Sequence, residues 1–495
     1  MKIDNEKEYK LNRSLKARHM NMIAIGGSIG TGLFFASGSA VSTAGPGGAL
    51  LAYIIMGIVV YLLMMSLGEM STLLPISGSF ETYATRFVDP ALGFTLGWNY
   101  WFCWAIGVAA ELVAGSLIVK FWFPDTNGTM WSIIFLAIIF VLNFLSAKAY
   151  GESEYWFASI KVITIIIFII VGVLMIIGIL GNASPGFTNW GLSDGNGNKG
   201  PFLGGLLGIV NVFLVAGFSF SGTEIVGLAA GESENPQENV PKAIKTVFWR
   251  ILLFYVGAII VIGFIIPFTD ENLLKSGVDN IAYSPFTMVF EKCGIAFAAS
   301  AMNAVILTSV LSCGNSGLYV SSRMLYALAL EGKAPKFLRK VNKRGVPMNA
   351  LYVTTIVACS AFFASLIGDG KIYYILYNVS GIMAFFAWLG IGICHYRFRK
   401  AYIAQGRDLN DLKFKAKFYP FGPIISVILC VIVIFGSNIW VFQADTFSWF
   451  DFITNYITIP IFICLYFGYK FIKKTKIVPL EECDFEFKEE IRQAK

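Results

Sequence analysis

Two segments of this chain put helix-breaking and polar residues where apolar helix is expected. Ile23–Leu33 carries Gly26, Gly27, Ser28, Gly30, Thr31 and Gly32. Gly217–Glu224 carries Ser219, Ser221, Gly222 and Thr223, with Phe218 and Phe220 between them. Unpaired backbone groups are costly in hydrocarbon, so such interruptions survive only where they line a buried cavity. Amides freed at a half-helix N-terminus carry partial positive charge and suit a carboxylate. Freed carbonyls suit an ammonium. The backbone of Ser28, Gly30, Thr31 and Gly32 is therefore expected to hold the carboxylate of a small zwitterion. Phe218, Ser219, Phe220 and Ser221 are expected to hold its amino group, with Phe218 or Phe220 closing over it as a gate. Gly26 and Gly30 also have the spacing of a Gly-x-x-x-Gly helix seam. Four glycines within Gly26–Gly32 exceed what one seam needs. The order is not that of a dinucleotide fingerprint, and no strand precedes it.

Isolated ionisable groups at membrane depth default to functional candidates. Glu224 follows the second interruption within a turn. It either meets the solute or caps the freed amides. Glu111 lies inside the apolar stretch Trp98–Val119. It can bind a cationic group, carry a proton or pair with a lysine. Phe102 and Trp104 lie on the preceding turns, and aromatic faces attract ammonium groups; lipid or core packing is their alternative use. Glu111, Glu224, Trp104 and Phe102 form the expected set around a solute side chain. Lys161 sits about 10 Å from the nearer end of its helix, at about 1.5 Å per residue. It either snorkels or turns its amine into the bundle. There its charge would stand in for a bound cation, or it would exchange a proton. Ser309 and Ser312 belong to a polar series with Asn303, Thr308, Asn315 and Ser316, and are expected to meet that amine.

The elements that must position these residues are apolar helices. The 495-residue chain is 56% hydrophobic and only 14% charged, with a mean hydropathy of +0.68; soluble domains carry about 25% charged residues. Apolar runs place twelve helices at about 20–43, 48–73, 92–122, 130–148, 155–180, 202–230, 243–267, 284–329, 348–368, 371–396, 421–442 and 449–471. The eighth is too long for one straight span, so a lead-in near Ser284–Lys292 and an amphipathic end near Arg323–Leu330 are expected. The chain reads as an all-α integral membrane protein, and the alternation of a barrel is missing. With the N-terminus inside, 31 of the 38 Lys and Arg fall on the inner side and five on the outer: Lys120, Lys199, Lys275, Lys292 and Lys371. That asymmetry predicts both termini inside. It also accounts for the net charge of +7 by topology and anionic lipid contact, without nucleic acid.

No removable signal peptide is expected. The eight cysteines predict neither a disulfide framework nor a metal site. His19 and His395 read as contacts to lipid headgroups. The two interruptions are five helices apart. An odd spacing inverts the second unit relative to the first, as in an inverted repeat of helices 1–5 and 6–10. The expected organisation is a segment 1–19 and one domain 20–472, then a tail 473–495. The domain holds repeat one at about 20–180, repeat two at about 202–396 and peripheral helices at about 421–471.

Gly26–Phe34, Gly45-Pro46-Gly47-Gly48, Phe218–Glu224 and Gly231-Glu232-Ser233-Glu234-Asn235-Pro236 resemble motifs of the amino acid transporter family within the APC superfamily. The resemblance runs from about Leu11 to Lys474. Leu15–His19, Leu96–Trp101, Glu154–Phe157, Cys313–Gly317 and His395–Arg399 look like segments of its lysine-carrying members. It implies the LeuT fold, five plus five inverted helices and two peripheral ones. It also implies proton-coupled uptake of an L-amino acid across the bacterial cytoplasmic membrane, without a cofactor beyond the proton. In proton-coupled members a lysine on helix 5 sits where sodium-coupled relatives bind sodium, and Lys161 matches it. Where lysine carriers can have tyrosine, aspartate and glutamine, this chain has Phe102, Glu111 and Ser221. The expected solute is L-lysine, with arginine, histidine and ornithine left open. A general or exchanging permease, a sodium-coupled carrier and a membrane-embedded lysine sensor are the alternatives. No enzyme motif is present.

Overall fold

A computed structural model of the chain describes residues 11, 13–26, 29–181, 184–193, 199–275, 284–294, 297–363, 366, 368–436, 439–442 and 446–486. Ser28 therefore lies outside the described residues. Those residues form helices and loops; the strand-like pairings among them are two isolated bridges, Leu15–Ser233 and Ser193–Lys199. Among the described residues, eight helices are long and apolar enough to cross a membrane: Ala36–Leu73, Pro90–Val119, Gly128–Leu145, Ala147–Ile176, Gly205–Glu232, Pro236–Ile265, Ala298–Leu330 and Gly370–Ala404. A pair bent by 43°, Trp449–Tyr456 and Thr458–Lys473, makes up to nine. Met348–Phe363 and Phe421–Gly436 are shorter apolar helices.

Local chemistry starts several of these helices. Asp89 accepts from the Ala91 amide at 2.8 Å, with Pro90 in the first turn. Asn127 accepts from the Thr129 amide, and Ser146 from the Ala149 amide. Such caps satisfy amides that have no partner within the helix.

The first run divides into Ala17–Gly26, a short helix Thr31–Phe34 and the start of Ala36–Leu73. The gap between the first two expected helices, at Gly45-Pro46-Gly47-Gly48, appears as a turn of non-helical backbone at Gly45 inside that last helix. The Gly47 and Gly48 amides donate to the Pro201 carbonyl at 3.0 and 3.2 Å, so the turn is held by the chain leading to the second interruption. The sixth run is broken at Ser221–Gly222, where Gly222 takes φ +91°, a left-handed value that glycine adopts without penalty. The eighth run splits into Pro285–Lys292 and Ala298–Leu330.

Several expectations are corrected. The Arg323–Leu330 end is not an amphipathic surface turn: Arg323, Leu325, Tyr326, Leu328 and Ala329 are buried. Arg323 Nε bonds Glu232 at 3.0 Å. Arg250, counted on the inner side, is 1% exposed and lies within a helix that runs without a loop from Pro236 to Ile265. His19 and His395 are buried rather than lipid-facing; His395 lies 3.5 Å from Glu69.

Candidate functional site

The two interruptions pack directly on each other. A Cβ on Gly32 would stand 2.6 Å from the Ser219 Cα, so only glycine permits this approach. Ser219 Oγ donates to the Gly32 carbonyl at 2.6 Å and meets the Tyr53 hydroxyl at 2.9 Å. Gly26 serves a seam instead, since its Cβ would stand 2.5 Å from that of Ala158. The seam and the site thus use different glycines of one motif.

Beside this junction lies a small cavity that leaves about 30 Å³ for the centres of water-sized groups, room for one or two waters as it stands. Gly30, Gly32, Trp104, Glu111, Phe218 and Ser221 line it, as the sequence suggested. Cys103, Gly107, Cys313 and Ser380 line it too and were missed. Gly107 and Cys103 share the helix of Trp104 and Glu111, so helical spacing from those two could have found them. Cys313 and Ser380 come from distant helices and gave no signal.

Glu111 is 5% exposed. Its Oε1 accepts from the Thr31 hydroxyl at 3.0 Å and from the Thr31 amide at 3.4 Å. The Cys313 thiol lies alongside, and Oε2 makes no hydrogen bond among the described residues. Glu224 differs. Its oxygens accept from the Tyr100 hydroxyl at 2.9 Å, the Trp388 indole at 3.0 Å and the Gly222 amide at 3.1 and 3.2 Å. It closes the second break against two other helices and does not line the cavity.

Of the two gate candidates, Phe218 lines the cavity and packs on Tyr377 with ring centroids 4.3 Å apart. Phe220 is fully buried against Tyr255 and Tyr53, in the core. Phe102 is 37% exposed and stands apart from the cavity lining. Thr31 and Ser219 sit behind the lining, held by Glu111 and Gly32.

Lys161 is fully buried and does not snorkel. Its Nζ donates to the Gly26 carbonyl at 2.9 Å, at the C-terminal end of the first half-helix. Arg250 donates to the Ala24 carbonyl at 2.8 Å on that same end. Two cations thus face the negative end of a helix dipole. Ser309 and Ser312 do not bond the Lys161 amine. Ser309 turns back to the Val305 carbonyl. Ser312 donates at 2.6 Å to Glu154, whose Oε1 is 3.9 Å from Lys161 Nζ. Glu154 was missed because the apolar run begins at about 155, whereas the helix begins at Ala147.

Residues 19–481 match the amino acid permease family. The chain is 54% identical over 476 residues to the lysine-specific permease LysP of Escherichia coli (strain K12), covering 96% of each. It is 51% identical to the lysine-specific permease LysP of Lactococcus lactis subsp. cremoris (strain MG1363), covering 96% of this chain and 93% of that one. It is 50% identical to the histidine permease HisP of the same strain, covering 97% and 99%. Among solved structures, a manganese transporter of Eremococcus coleocola has a similar fold, with a TM-score of 0.51 at 14% identity, over 92% of this chain and 94% of that one. A broken-helix bundle with a buried, carboxylate-lined cavity and full-length likeness to permeases agree: the chain belongs to the amino acid permease family, multi-pass membrane transporters and not enzymes.

Proposed function

We propose that the protein imports L-lysine across the bacterial cytoplasmic membrane by proton symport. The observation that carries this reading is the Glu111 carboxylate at the cavity wall, with one oxygen bonded to Thr31 and the other without a hydrogen bond among the described residues. A buried carboxylate with spare acceptor capacity attracts a cation strongly. The solute's side-chain ammonium meets Glu111 beside Trp104. Its carboxylate lies along the first interruption at Gly30–Gly32. Its α-ammonium lies at the Phe218–Ser221 carbonyls, under Phe218. Glu224, with its bonds already made, holds the second break closed. Lys161 serves coupling, its amine on the first half-helix supplying the charge that a sodium ion would otherwise bring.

The likeness to two lysine-specific permeases supports lysine. The similar likeness to a histidine permease favours a second reading, a carrier of several cationic amino acids. In both, residues 20–472 form one twelve-helix domain with a LeuT-type inverted repeat and both termini cytoplasmic. Repeat one spans about 20–180 and repeat two about 202–396, followed by peripheral helices at about 421–471. Anionic lipids contact the basic inner face.

Radiolabelled lysine uptake into proteoliposomes, with an inward proton gradient and no sodium, tests the proposal. Arginine, histidine and leucine compete in parallel. Accumulation abolished by a protonophore and blocked by lysine alone is expected. Equal block by histidine moves the assignment to the broader carrier. Binding without accumulation sinks transport in favour of a sensor.

A further inference from the structure

We infer that Glu154 is a second proton-handling residue, taking a proton from Lys161. This rests on the proton coupling proposed above and adds a residue to it. Glu154 and Lys161 lie seven residues apart on Ala147–Ile176, two turns along one face. Both are fully buried.

The pair is joined unlike a fixed ion pair. Arg399 and Glu69, also buried, share two bonds of 2.5 Å, and the Ala416 amide adds a third at 2.6 Å. Lys161 Nζ stands 3.9 Å from Glu154 Oε1, beyond hydrogen-bond reach, and spends its bond on the Gly26 carbonyl. Glu154 Oε1 accepts from Ser312, and Oε2 is buried without a hydrogen bond among the described residues. Among the described residues, Glu154 is the carboxylate within 4 Å of the amine.

The transfer breaks one N–H bond of the ammonium and forms one O–H bond on the carboxylate. It leaves a neutral amine and a neutral carboxyl. Two opposite charges vanish together, so the step removes the desolvation cost of both. Below Glu154 the polar series continues. Ser316 Oγ lies 3.1 Å from the Tyr150 hydroxyl, whose ring stacks on Tyr319 at 3.9 Å. The Arg323 guanidinium sits 4.1 Å from the Tyr319 ring centroid and bonds Glu232. Groups from the packed helices also face the pair: Glu111, Cys313 and Arg250 act on Lys161, and Glu232 and Arg323 act on Tyr150.

The test compares Glu154→Gln and Glu154→Asp with the wild type in proteoliposomes. Lysine counterflow without a gradient is read beside lysine accumulation and internal pH under an inward proton gradient. Glu154→Gln is expected to keep counterflow within about threefold and to lose accumulation and proton entry about tenfold or more. Glu154→Asp is expected to restore most of both. Proton-driven accumulation by Glu154→Gln at the wild-type level overturns the inference. Loss of counterflow to the same degree as accumulation also overturns it, in favour of a structural pair. If Glu154→Gln does not fold, Ser312→Ala decides. Its accumulation should shift in pH dependence relative to counterflow, and an unshifted profile rejects the relay. A wild type indifferent to protonophore removes the coupling reading itself, an outcome distinct from failure at Glu154 alone.

Discussion

Glu111 and Glu224 are two carboxylates buried in the same bundle, each beside a broken helix, yet their surroundings differ. Glu224 accepts from a phenol, an indole and a backbone amide on three separate segments. Glu111 lines the cavity and accepts from Thr31 with the Cys313 thiol alongside, and its second oxygen makes no hydrogen bond among the described residues. Burial is equally severe at both sites and does not tell them apart. The unfilled acceptor does, because a buried carboxylate with spare capacity favours a cationic partner.

Removing Glu224 tests this contrast hardest. Glu224→Ala leaves the Tyr100 hydroxyl, Trp388 indole and Gly222 amide unpaired, at about 1–3 kcal/mol each. The expected outcome is a collapse of thermal stability in detergent, with little monodisperse protein recovered. A stable, transporting Glu224→Ala variant would break the comparison at once.

Glu111→Gln keeps an acceptor for Thr31 but removes the charge. A charge-assisted hydrogen bond contributes about 1.5–3 kcal/mol, so lysine uptake should fall by about one to two orders of magnitude. The melting temperature should stay near that of the wild type. A variant that unfolds while binding lysine normally would invert the two assignments.

The glycines sharpen the picture at the junction. A methyl on Gly32 would strike the Ser219 backbone, whereas one on Gly107 would meet nothing within 4 Å. Gly32→Ala is expected to lose about 1–3 kcal/mol through overpacking. Gly107→Ala should fold normally and narrow the cavity. Equal melting temperatures for the two variants would show that the breaks are not in close contact.

Asp89, outside the spans, supplies a third kind of carboxylate. Burial alone would raise it. The Lys470 ammonium at 2.6 Å, the Ala91 amide and the Thr475 hydroxyl outweigh that and hold it below the usual range. Its folded value is depressed, so its contribution is present above the unfolded value of about 3.9. It is lost as pH falls through the folded value. Thermal melts between pH 6 and pH 3 should show a smaller acid loss for Asp89→Asn than for the wild type.

Much of the site was legible because its signals are local. Glycine and hydroxyl clusters inside apolar runs mark the breaks, and the cavity residues Gly30, Gly32, Phe218 and Ser221 follow from them, while Glu111 and Trp104 follow from a lone carboxylate and an aromatic neighbour on one helix. Glu111 and Glu224 looked alike in sequence, both being single carboxylates among apolar neighbours. The residues that distinguish them, Thr31, Tyr100 and Trp388, lie 80 to 164 positions away. Glu154 was read as a loop residue because hydropathy falls before its helix ends. The backbone runs on through polar residues when tertiary partners satisfy them. Ser309 and Ser312 share a helix face, yet one turns to its own backbone and the other to Glu154. A side chain's choice among acceptors depends on which helix packs opposite.

The sequence by itself determined the class and the punctuation of this protein: a helical membrane bundle, broken at Gly26–Thr31 and near Gly222. Hydrophobic length and unpaired backbone groups are properties of neighbouring residues, and lipid tests them one segment at a time. Only the tertiary structure decided that Glu224 closes a break while Glu111 faces a cavity, and that Lys161 holds the end of the first half-helix. Those outcomes are set by helix rotation and depth, which depend on packing between segments far apart in the chain.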